Sequence, residues 1–76
     1  MATFDDVKKI IARVTRSSED GISPETSLKE IPADSLHWVQ IIVGVENEYD
    51  LEIDFEQMKN FSTVGDFVAY VDNLKQ

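Results

Sequence analysis

The chain has no cysteine, only three glycines and two prolines, and seven basic residues against fifteen acidic ones. The absence of cysteine excludes disulfide bonds and thiolate metal sites as a source of stability. No stretch approaches the roughly 20 apolar residues of a membrane-spanning helix, and residues 1–6 lack the basic start of a signal peptide. We therefore expect a cytoplasmic protein without a membrane span.

The scarcity of basic residues gives a net charge of −8, which disfavours nucleic acid and anionic membranes as partners. It favours docking on basic patches of other proteins. The acids concentrate in the middle of the chain, at Glu46, Glu48, Asp50, Glu52, Asp54 and Glu56. A surface that merely keeps a small protein soluble explains this cluster equally well.

The length of 76 residues fits one domain, residues 1–76, with a single small hydrophobic core. Apolar residues at three- and four-residue spacings predict a first amphipathic helix that ends near Thr15. Thr3 with Asp6 suggests a capping box at its start. Residues 16–33 show no sustained period and hold most of the glycine, proline and serine of the first half, which predicts a long loop.

A second amphipathic helix is predicted from Leu36 to about Tyr49, with Asp34 as its N-cap. Its inward stripe consists of Trp38, Ile42, Val45 and Tyr49. This reading puts Ser35 on the first turn, where its hydroxyl is exposed. A serine at that position can carry a large group without disturbing the core.

Two further helices complete the predicted fold. Asp54 can cap a short third helix, and Thr63 with Asp66 can begin a fourth. Leu28 and Ile31 are the expected anchors of the long loop in the core. The sum is an all-α fold, a small four-helix bundle with three longer helices, one short third helix and a long first loop.

The sequence offers neither a catalytic nor a metal site. Ser35 needs a neighbouring base to act as a nucleophile, but the only histidine, His37, points in another direction on a helix. A calcium loop would place glycine and glutamate where the chain has Phe55 and Phe61. Asp50, Glu52 and Asp54 have the spacing of the first three ligands of such a loop, but the other two positions do not match. We therefore expect no metal site and no enzymatic activity.

The chain resembles the acyl carrier protein family in residues 31–36, Ile-Pro-Ala-Asp-Ser-Leu, in the helix that follows them, and in the mixture of acidic and apolar residues at 46–53. The resemblance covers nearly the whole chain. It implies a monomeric carrier with a covalent 4′-phosphopantetheine arm on Ser35, with Asp34 and Leu36 completing the motif. A phosphopantetheinyl transferase would attach the arm from coenzyme A, and the arm's thiol would hold acyl groups as thioesters.

The resemblance also implies two sets of site residues. Acyl-transfer and synthase enzymes with basic patches would dock on the second helix, at His37, Gln40, Val43, Glu46 and Glu48. An acyl pocket would be lined by Trp38, Ile42, Val45, Ile53, Met58 and Phe61. The large side chains among these residues leave less room for an acyl chain than small or branched side chains would.

The sequence departs from the family in three places. Pro32 stands where the family commonly has glycine, and His37 and Gln40 stand where it often has acids. The carried acyl groups would serve fatty-acid synthesis or a specialised lipid or polyketide-type pathway, and these differences count against the ordinary fatty-acid synthase enzymes as partners. Two alternatives remain open: a peptidyl or aminoacyl carrier, and an unmodified acidic helical module that binds other proteins.

Overall fold

The computed structural model describes residues 2–75 and contains three α-helices and three short 3₁₀ segments. The α-helices are α1 (Thr3–Thr15), α2 (Ser35–Tyr49) and α3 (Val64–Lys75). The 3₁₀ segments are Glu19–Gly21, Leu28–Glu30 and Phe55–Asn60. Within these residues there is no strand, and no helix is long and apolar enough to cross a membrane. The predicted all-α bundle is confirmed, with its short third helix wound as 3₁₀.

The core forms where the three α-helices meet. The fully buried side chains are Val7, Ile11, Ile41, Val45, Val64, Phe67 and Val71. The buried stripe of α2 differs from the predicted one: Ile41 is buried together with Ile42 and Val45, whereas Trp38 and Tyr49 are only partly buried. A Cβ atom added to Gly44 would lie 3.0 Å from Cγ2 of Ile10, so glycine lets α1 and α2 approach closely.

The predicted capping box of α1 is wrong. The helix begins at Thr3, its N-cap is Ala2, and no side chain caps it. The Thr3 hydroxyl instead donates to Asp72 Oδ1 and accepts from Lys75 Nζ at 2.9 Å. Thr3 therefore joins the start of α1 to the end of α3, a contact that local spacing does not reveal.

The same end of the bundle holds the C-terminus of α2. The Tyr49 hydroxyl donates to Asp6 Oδ2 at 2.5 Å, and Lys75 Nζ lies 4.3 Å above the Tyr49 ring. Burial, followed by the hydrogen bond to Asp6, raises the pKa of Tyr49 above its ordinary value. These contacts join all three α-helices at the end of α2 farthest from Ser35.

The loop of residues 16–33 is ordered by contacts with the start of α3. Ile31 is buried and Leu28 packs against the core, as predicted, and Ile22 is buried as well. The Leu28 amide donates to the Ser62 carbonyl at 3.0 Å, beside an isolated antiparallel bridge between residues 27 and 63. The loop thus forms one wall around the start of α2.

Candidate functional site

The start of α2 is a reciprocal capping box between Asp34 and His37. Asp34 has an extended backbone, and its Oδ1 accepts from the His37 amide at 3.0 Å. In return, the Asp34 amide donates to His37 Nδ1 at 3.2 Å. The hydrogen bond from the His37 amide is the main reason why the pKa of Asp34 is lowered. The structure thus confirms Asp34 as the N-cap.

His37 makes a structural contact in addition to the docking role that the resemblance implies for it. Its Nδ1 accepts from the Asp34 amide, and among residues 2–75 no hydrogen bond joins the imidazole to the Ser35 hydroxyl. The spacing of three residues between Asp34 and His37 is the spacing of a capping box, in which Glu or Gln is the usual second partner. That spacing was the available signal for this contact.

Ser35 is the first residue of α2 and is exposed. Among residues 2–75, no group forms a hydrogen bond with its hydroxyl. An unactivated serine is a poor nucleophile, so this arrangement does not support covalent catalysis by the chain itself. An accessible hydroxyl at the end of a helix is well suited to modification by another protein.

A cleft of about 410 Å³ opens beside Ser35. Its lining consists of Leu28, Lys29, Ile31, Ala33, Ser35, Trp38, Phe55, Met58, Lys59 and Phe61. The walls come from three parts of the chain: the long loop, the first turn of α2 and the 3₁₀ segment Phe55–Asn60. The apolar side chains form most of the wall, and the two lysines bring positive charge to it.

The cleft contains only part of the predicted acyl pocket. Trp38, Met58 and Phe61 line it, whereas Ile42, Val45 and Ile53 do not. These three side chains are buried in the core, where neighbouring helices and loops already fill the space around them. Sequence reasoning missed the lining residues of the long loop, because their approach to Ser35 depends on tertiary folding.

The exposed face of α2 next to Ser35 is apolar. Leu36, Val39 and Val43 have exposed fractions of 65%, 44% and 46%, and their spacing puts them on one side of the helix. No Asp, Glu, Lys or Arg occurs from Ser35 to Val45, and His37 is the only titratable side chain there. Gln40 and Glu48 are exposed and His37 is half-exposed. Val39 was not among the predicted docking residues.

Glu46 has a structural contact that the sequence did not suggest. Its Oε2 accepts from the Ile53 amide at 2.8 Å, which closes the turn after α2. Of the two predicted docking acids, Glu48 is exposed and Glu46 is half-buried. No group of three His, Asp or Glu side chains within residues 2–75 is arranged to hold a metal ion.

Comparison with known proteins matches the chain to an established family. The family model "Phosphopantetheine attachment site" matches residues 5–71. An acyl carrier protein of Lactococcus lactis subsp. cremoris is 41% identical over 75 residues, covering 99% of this chain and all of that protein. An acyl carrier protein of Campylobacter jejuni subsp. doylei is 35% identical over 77 residues, covering the whole of both chains.

The fold agrees with these matches. The solution NMR structure of a holo acyl carrier protein from Geobacter metallireducens superimposes with a TM-score of 0.80 at 28% identity. The superposition covers 97% of this chain and 86% of that protein. The family's cofactor is a covalently attached phosphopantetheine, and its members are carriers without catalytic activity of their own. This chain belongs to the acyl carrier protein family.

Proposed function

We propose that the chain holds acyl intermediates as thioesters on a 4′-phosphopantetheine arm attached to Ser35. The observation that carries the proposal is the exposed Ser35 hydroxyl on the first turn of α2, at the edge of an apolar cleft. The residues around it suit such an arm. Lys29 supplies positive charge for its phosphate, whereas Lys59 is ion-paired with Glu56 at 2.9 Å, and the apolar wall suits its cargo. When bound, the arm supplies the thiol that forms the thioester.

Acyl cargo is favoured over peptidyl or aminoacyl cargo, because the relatives are acyl carrier proteins. The exposed apolar face of α2 supports a specialised pathway. Synthase and transferase enzymes that dock there must contact Leu36, Val39 and Val43, with little help from acids before Glu48. A flexible arm raises the effective concentration of its cargo at whichever enzyme is docked. We further propose that the protein works as a monomer in the cytoplasm.

The attachment residue is tested by intact mass after incubation with coenzyme A, magnesium and a broad-specificity phosphopantetheinyl transferase. The parent protein should gain one phosphopantetheine group, and Ser35→Ala should gain none while keeping its helical content. Ser62→Ala is the matched control, since Ser62 is an exposed serine two residues before the start of α3. Loading of the Ser35→Ala variant would overturn the assignment.

A substitution at Asp34 can distinguish its role as the N-cap of α2 from recognition of its charge by the transferase. Asp34→Asn should keep the cap, because asparagine and aspartate cap helices about equally well. It should nevertheless slow loading if the transferase recognises the negative charge beside Ser35. Equal loading rates for the parent and Asp34→Asn, measured with the same enzyme, would show that the carboxylate acts only as a cap.

A further inference from the structure

The turn before Ser35 contains a hydrogen bond that only one protonation state of histidine can make. His37 Nδ1 lies 3.2 Å from the Asp34 amide nitrogen and accepts its hydrogen. The same Nδ1 also lies 3.2 Å from Asp34 Oδ1. A neutral imidazole nitrogen with a free lone pair can accept from the amide, whereas a protonated one can only donate. The two distances therefore correspond to two alternative bonds at a single nitrogen.

The charged groups around this turn are few. Asp34 is the ion-pair partner of His37 among residues 2–75, and its Oδ1 already accepts from the His37 amide. From the other elements, Lys29 and Lys59 lie in the cleft that Ser35 also lines. On α1, Arg13 lies beside Gly44, about two turns farther along α2. The Asp34 carboxylate is thus the group that competes for a proton on His37 Nδ1.

We propose that His37 is a positioning residue for the modification of Ser35. Its neutral imidazole closes the turn and holds Ser35 in the orientation that the transferase accepts. Protonation exchanges the bond from the Asp34 amide for a bond from the imidazolium to the Asp34 carboxylate, so the turn loses one of its two reciprocal bonds. The inference rests on the proposed function, since it takes Ser35 as the attachment residue.

Histidine is the side chain that changes charge between about pH 5 and 8, so modification should slow on acidification across that range. His37 is the only histidine of the chain, so replacing it removes this pH dependence. Glutamine, a usual partner in a capping box, can accept from the Asp34 amide without titrating. His37→Gln should therefore keep the closed turn at every pH in the range.

The turn itself is tested by NMR on the unmodified protein. In the parent, the Asp34 amide resonance should shift with the same midpoint as the His37 ring. In His37→Gln it should stay constant over that range. A second variant, His37→Gln with Asn47→His, returns an imidazole to an exposed position of α2 about 15 Å along the axis, and it should behave like His37→Gln. An Asp34 amide in the parent that ignores the His37 titration would overturn the inference.

The consequence for modification is tested by loading rates with one transferase. The ratio of the parent rate to the His37→Gln rate cancels the enzyme's own pH dependence. Losing one hydrogen bond of the turn should lower this ratio by about two- to tenfold from the neutral to the acidic end of the range. The ratio for the relocated-histidine variant should stay flat.

The outcomes separate the two proposals. If the parent accepts the group normally and its rate ratio is flat, the positioning role of His37 is wrong and the carrier function stands. If the parent accepts no group at any pH, the proposed function fails and this inference fails with it.

Discussion

The helices α2 and α3 both begin with a capping box, but they begin in different surroundings. At α3, Asp66 Oδ2 accepts from the amides of Ser62 and Thr63 at 2.9 and 3.2 Å. The Thr63 hydroxyl accepts from the Asp66 amide at 3.2 Å. The capping bonds of α2 are confined to Asp34 and His37. The start of α3 thus has the denser set of local bonds.

The larger difference lies beyond the caps. The Val64 amide donates to the Thr26 carbonyl at 3.0 Å, and the Gly65 amide donates to the Pro24 carbonyl at 2.8 Å. The start of α3 is therefore tied to a loop some forty residues earlier in the chain. The start of α2 has only neighbours in sequence for its backbone bonds. A helix start with purely local bonds can present a residue to a partner without disturbing the framework, which suits Ser35.

The largest effect on stability is expected at the start of α3, which is bonded to the long loop. A Cβ atom on Gly65 would lie 3.0 Å from the Pro24 carbonyl oxygen, which is backbone and cannot move aside freely. Gly65→Val should lower the free energy of unfolding by about 1–3 kcal/mol, as overpacking generally does. Gly21 has no atom within 4 Å of its added Cβ, so Gly21→Val is the control and should change stability by less than about 0.5 kcal/mol. Equal losses in urea unfolding would refute the anchoring role.

Removing the capping carboxylate should also destabilise the protein more at the start of α3 than at the start of α2. Asp66→Ala removes two accepted bonds and should lower the melting temperature by about 8 °C, while Asp34→Ala removes one and should lower it by about 4 °C. Circular dichroism melts of the two variants measure the difference. A larger loss for Asp34→Ala would mean that the start of α2 contributes more to the framework than its local bonds indicate.

Acid should destabilise the starts of α2 and α3 by protonating their capping carboxylates, Asp34 and Asp66. Amide hydrogen bonds, from His37 to Asp34 and from Ser62 and Thr63 to Asp66, lower the pKa of both carboxyls below the usual 3.8. Because each folded-state pKa lies below its unfolded value, the stabilisation is present above that value and is lost as the pH falls through the folded-state pKa. Melting temperatures should drop below about pH 4.

The variant Asp66→Asn checks the acid prediction. It removes one of the two titrating groups while leaving an oxygen that can accept from Ser62 and Thr63. Its melting temperature should fall less steeply than that of the parent between about pH 4 and pH 2.5. Parallel curves for the parent and the variant would show that other carboxylates control acid unfolding.

The smallest effect is expected for acyl chains loaded on the parent. Trp38 is one of the large side chains that line the cleft beside Ser35 and limit its depth, so acyl chains beyond a short length should add little to the melting temperature. Trp38→Thr should itself be destabilising through lost aromatic burial, but should gain more from longer chains. Melts of forms loaded with increasing chain length test both statements. A steady gain with length in the parent would show that its cleft already accepts the chain.

Much of the architecture could be predicted because it depends on local interactions. The caps at Asp34, Asp54 and the Thr63–Asp66 pair were predicted from local sequence, because a capping side chain reaches backbone amides within one turn. The Asp54 carboxylate accepts from the Glu56 amide, two residues on. The amphipathic spacing of α2 identified Ile42 and Val45 as core residues for the same reason. The exposed position of Ser35 followed from these local rules.

The tertiary structure decided what each polar or apolar group contacts when several partners are possible. Thr3 looks like a cap, yet its hydroxyl bonds Asp72 and Lys75 at the far end of the chain. Glu46 looks like a free surface acid, yet it accepts from Ile53. The cleft beside Ser35 has walls from the long loop and from residues 55–61. Sequence spacing does not reveal such pairings, because the partners are distant in sequence and only tertiary packing brings them together.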